Sequence, residues 1–82
     1  MRSQPELDAM STADVAAMVR DGVAALSRRS DPEAFGALVE LTRIVGESLG
    51  ESARALAGAS SWAQVGDVAG TSRQAAWERW RG

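Results

Sequence analysis

Arg73, Gln74, Trp77, Glu78 and Arg81 share one side of a helix when the C-terminal stretch is wound at about 3.6 residues per turn. Their chemistry is that of recognition. The guanidinium of Arg73 presents two donors that match the paired acceptors on the edge of guanine. The carboxamide of Gln74 offers one donor and one acceptor, the pattern that adenine complements. The carboxylate of Glu78 accepts from a cytosine amino group, or repels phosphates and so sharpens specificity. Proton transfer and nucleophilic attack are poorly provided for. The sequence has no His and no Cys, so the commonest general base and the thiolate nucleophile are missing, as are the usual zinc ligands. No Gly-x-Ser-x-Gly elbow occurs, and Gly66 and Gly70 lack the strand context and the Lys of a phosphate-binding loop. Glu40 and Glu47, seven apart, read as a solvated helix edge. No catalytic residue, metal site or cofactor is expected, and the chain is not expected to be an enzyme.

These side chains need a scaffold, and residues 60–82 supply one. Ser61 is a hydroxyl N-cap with Gln64 three residues on. Val65 and Ala69, four apart, give the short helix an apolar side. Gly70 stops it, since glycine takes the left-handed conformation without a Cβ clash. Thr71-Ser72 caps a second helix from Arg73, with Ala76 and Trp80 facing inward. Two helices so tightly joined must cross steeply. The run SWAQVGDVAGTSRQAAWERW resembles the helix-turn-helix of small bacterial transcriptional regulators, in which a Trp-Ala-x-Ile/Val-Gly helix leads through Gly-x-Ser into Arg-Gln-Ala-Ala and a terminal aromatic. The resemblance covers about a quarter of the chain. Gly66 stands where Ala is usual, Thr71 where an aliphatic residue packs and Ala76 where Val or Ile is usual, so the local core is expected to be thin and to lean on other helices.

The resemblance implies sequence-specific binding of double-stranded DNA, with the helix from Arg73 to Arg81 in the major groove. Arg73 is then the leading base reader, with Gln74 and Glu78 beside it. Thr71 and Ser72, with the free amides of a helix start, suit a phosphate oxygen, and Arg81 meets the backbone. Ser61, capping the first helix, joins the candidate set. Arg79 either meets the backbone or pairs with an acidic residue of another helix. Trp77 either stacks on a sugar or thymine methyl or folds back over the thin core, and the second is preferred because exposed Trp is uncommon.

The totals set the frame. Eighty-two residues with net charge −2 make one small domain, for which oligomerisation is a natural remedy. The charge disfavours nucleic acid as a partner, but its distribution does not. Residues 1–59 hold nine acidic and six basic side chains, whereas residues 60–82 set Arg73, Arg79 and Arg81 against Asp67 and Glu78. No apolar run approaches the ~20 residues of a membrane span and no signal-peptide pattern appears, so a cytoplasmic location is expected.

The expected fold is all-α: a small bundle of four main helices ending in the helix-turn-helix. Residues 1–10 read as a loose arm in which Pro5-Glu6 can open a turn of helix. A first helix over 11–29 starts at Ser11 and carries the stripe Val15, Met18, Val19, Gly22 and Leu26. Asp31-Pro32-Glu33 opens a second helix over 32–57. One apolar stripe there runs 35, 38, 42, 45, 49, 56 and a second holds 41, 44 and 48, too wide for a single neighbour. Either this helix is a central post between the others, or Leu38, Leu41, Ile44, Val45 and Ser48 form a homodimer seam. Gly46 and Gly50, with Thr42, make a small-residue ridge that admits close helix approach. Alternatively Gly50 kinks or ends the helix; continuity is the expectation. The rival to DNA binding is a helical interaction module that docks on a larger regulator or sigma factor through this second helix.

Overall fold

Helix starts are set by side chains that accept the backbone N–H groups a first turn leaves unpaired. Ser11 Oγ accepts from Asp14 N at 3.1 Å, Asp31 Oδ1 from Ala34 N at 2.8 Å, Ser61 Oγ from Gln64 N at 3.0 Å and Ser72 Oγ from Ala75 N at 3.1 Å. The computed structural model describes residues 2–82, and these form five helices: α1 (Gln4–Ala9), α2 (Thr12–Ser27), α3 (Pro32–Ala59), α4 (Trp62–Ala69) and α5 (Arg73–Trp80). No strand occurs among the described residues. The fold is all-α. The fifth helix is α1, which covers most of the stretch read as an arm: Pro5 lies at its start and Glu6 in its first turn. Met1, the remaining end of that stretch, lies outside the described residues.

The helix boundaries differ from the sequence reading by a few residues. α2 ends at Ser27, whose Oγ donates to Ala24 O at 2.8 Å, so Arg28 and Arg29 follow the helix instead of forming its last turn. α3 runs unbroken through Gly46 and Gly50 to Ala59. No described helix is long and apolar enough to cross a membrane.

The chain divides into two compact units, Met1–Glu40 and Leu41–Gly82, with the boundary inside α3. At about 1.5 Å per residue α3 is roughly 42 Å long, more than one small cluster of side chains can cover. Among the described residues of the first unit the only buried hydrophobic side chain is Ala34. Of the stripe read along α2, Val15 and Leu26 are half-buried, while Met18, Val19 and Gly22 are exposed. Phe35 and Val39 on α3 are also exposed. Much of the apolar surface of α2 is therefore open.

The second unit has a core. Ala53 of α3, Val65 of α4 and Ala76 of α5 are buried together, with Leu56, Ala57, Trp62 and Trp80 packed against them. At Gly46 no helix of the chain approaches closely, since a Cβ there would meet nothing within 4 Å. At Gly50 the space is taken by the Arg54 side chain of the same helix, 3.2 Å from where a Cβ would stand.

Candidate functional site

α5 is held by a turn in which the backbone leaves no room for extra atoms. Gly70 adopts φ 73°, the left-handed conformation that ends α4, and Thr71 N donates to Gly66 O at 2.8 Å. A Cβ on Gly66 would stand 2.7 Å from Thr71 O and 3.0 Å from Ser72 O. Gly66, read from the sequence as a gap in the local core, is instead the point where α4 and the turn come into backbone contact. From there Ser72 caps α5 through Ala75 N, and Ser72 O accepts from Ala76 N at 3.0 Å.

The far end of α5 is fastened by a residue 26 positions earlier. Arg54 Nη1 donates to Trp80 O at 2.9 Å, which places a positive charge on a carbonyl at the negative end of the helix dipole. Sequence reasoning missed this contact. The local signal is weak: Arg54 follows Gly50 by one turn, so its side chain can lie over the bare glycine and cross to α5.

These constraints give α5 two different sides. Ala76 is fully buried and Trp80 half-buried against Ala53 and Val65. Arg73, Gln74, Trp77, Glu78 and Arg81 are all exposed. Gln74 Nε2 donates to Glu78 Oε1 at 3.0 Å, so carboxamide and carboxylate stand side by side one turn apart. The Arg81 guanidinium lies 4.6 Å from the centre of the Trp77 ring, a cation–π arrangement. Trp77 therefore does not fold back over the core as the sequence reading preferred; it is 40% exposed, and Trp62 with Trp80 supplies the aromatic cover. Arg79 lies 5.1 Å from the Trp80 ring centre on the other side of the helix. Ser61, Thr71 and Ser72 are exposed at the starts of α4 and α5.

The residues read as a homodimer seam do not form one uniform surface. Leu38 and Leu41 are half-buried, whereas Ile44, Val45 and Ser48 are exposed, with Val45 the most open hydrophobic side chain of the set. On the same helix Arg43 and Glu47 form an exposed ion pair at 2.8 Å. A groove of about 440 Å³ runs beside the unit's core, lined by Leu49, Leu56, Val65, Val68 and Trp80 among others.

Comparison of the chain with protein-family models, curated proteins and solved structures returned no match.

Proposed function

We propose that the chain binds double-stranded DNA in a sequence-specific manner, with α5 as the reading helix, and that it does so as a dimeric transcriptional regulator. One observation carries this reading. The side of α5 that bears Arg73, Gln74, Glu78 and Arg81 faces solvent, while the opposite side is anchored by Ala76, Trp80 and the Arg54 bond. A short rigid helix with polar groups on its free side suits the major groove, where each base pair displays a distinct set of donors and acceptors. Arg73, in the first turn, takes guanine. Gln74, oriented by Glu78, takes adenine. Thr71 and Ser72 meet a phosphate at the helix start, and Arg81, backed by Trp77, meets another. Two copies on a two-fold axis would place their reading helices about 34 Å apart on a pseudo-palindrome.

Selection of bound fragments from random duplexes, followed by titration with Arg73→Ala, tests the reading. The expected loss is about 1–3 kcal/mol, confined to one base pair of the site. An equal loss on every sequence would make Arg73 a phosphate contact, and no loss would refute the assignment of α5. The alternative reading, a module that docks on a larger regulator or sigma factor through α3, draws on the apolar groove that Leu49 and Leu56 of that helix border. Salt separates the two: affinity for DNA should fall steeply as salt rises, whereas an apolar protein interface should hardly respond.

A further inference from the structure

The second unit has more apolar surface than its core uses. Val45 is 56%, Leu49 47% and Val68 73% exposed, and Leu49 and Val68 border the groove that also touches Leu56 and Trp80. Along α3, Thr42, Val45, Leu49 and Ser52 follow at spacings of three, four and three, so they form one strip on the helix. At about 100° per residue, Arg43, Glu47 and Glu51 fall roughly 140–180° away from the middle of this strip. A second helix can therefore lie on it without burying a charge of α3, while Arg79 stands at the rim of the groove beside Trp80.

We propose that the strip Thr42–Val45–Leu49–Ser52 is the interface with a second copy of this chain, and that the two α3 helices meet there antiparallel. The assignment concerns the dimeric part of the reading above and does not depend on DNA. A two-fold interface requires that residue i meet j and that j meet i. Read backwards, the strip has the same character as forwards: hydroxyl, apolar, apolar, hydroxyl. Antiparallel pairing sets Val45 against Leu49 of the second copy, and Thr42 against its Ser52.

The groove decides the direction. In a parallel pair each groove would face its own image and enclose a void, which forfeits dispersion contacts. In an antiparallel pair the hollow beside Leu49 and Leu56 receives the Leu41–Val45 end of the other helix. The strip, from Thr42 to Ser52, is only about 15 Å long. A stable dimer buries about 800 Å² per partner, so Val68 and Trp80 at the groove's edge are needed to widen the contact. The unit also gains what it lacks alone, because a core of one Val and two Ala gives a small domain little stability.

Light scattering on the full chain over a concentration series tests the proposal, with no DNA present. The wild type should be a dimer. Val45→Glu and Leu49→Lys should each be monomeric with unchanged helical circular dichroism, since both positions are exposed. Mixed in equal amounts, the two variants should dimerise, because the new carboxylate of one faces the new ammonium of the other. A monomeric wild type overturns the proposal, as do single variants that remain dimeric. A mixture that stays monomeric overturns the antiparallel register. Should a charged variant unfold, Val45→Cys and Leu49→Cys replace it in a chain with no native thiol. A disulfide that forms faster in their mixture than in either variant alone supports the register, and the reverse overturns it. Failure here leaves the Arg73→Ala test on DNA untouched, and failure there leaves the dimer standing.

Discussion

The two units of this chain are both helical, but they are built differently. In the first unit α2 and α3 are well capped and poorly covered: Ser11 and Asp31 fix where they begin, yet among the described residues only Ala34 is a buried hydrophobic side chain. In Leu41–Gly82 two helices of eight residues, too short to persist alone in water, are held by tertiary contacts. Ala53 of α3 packs with Val65 and Ala76, Gly66 brings α4 against the turn, and Arg54 ties down the end of α5. Local capping specifies a helix; only convergence of several elements fixes the direction in which its side chains point. The candidate reading face belongs to the unit with that convergence.

Mutations should separate the two modes. The largest effect is expected for Trp80→Ala, about 3 kcal/mol by denaturant unfolding, because the indole packs on Ala53, Val65 and Ala76. An unchanged midpoint would show that α5 is not anchored through this residue. Gly66→Ala should cost about 2 kcal/mol, since the added methyl meets Thr71 O and the turn must shift. A neutral result would mean that the close approach of α4 and the turn is absent in solution. Asp31→Ala removes a cap in the first unit and should cost about 1 kcal/mol. Its signature is faster amide exchange in the first turn of α3, with α4 and α5 unaffected. Phe35→Ala should change monomer stability by less than about 0.5 kcal/mol, because the ring is 71% exposed. If Phe35→Ala proves as costly as Trp80→Ala, the contrast between the units fails.

Much of the scaffold was legible because its signals are local. A hydroxyl or carboxylate that accepts an N–H three residues on acts within one turn, so Ser11, Asp31, Ser61 and Ser72 could be read directly. The same holds for Gly70, whose left-handed φ follows from its place after an apolar pair. The outward set of α5 was legible too, since burying Ala76 and Trp80 leaves Arg73, Gln74, Glu78 and Arg81 no other side. Trp77 was misjudged because general burial preferences ignore a neighbour such as Arg81, which stacks on the ring in the open. The Arg54–Trp80 bond was invisible, because no periodic signal joins residues 26 apart.

By itself the amino-acid order determined the class of fold, the places where α2 to α5 start, and which α5 side chains share a face. Those properties depend on backbone geometry and on hydrogen bonds within one or two turns. Tertiary structure alone decided that Gly66 is a contact point, that Gly50 lies beneath Arg54, that Trp77 faces out and that the chain divides within α3. These depend on which backbones come within about 4 Å of one another, a distance set by the packing of whole elements rather than by any stretch of residues.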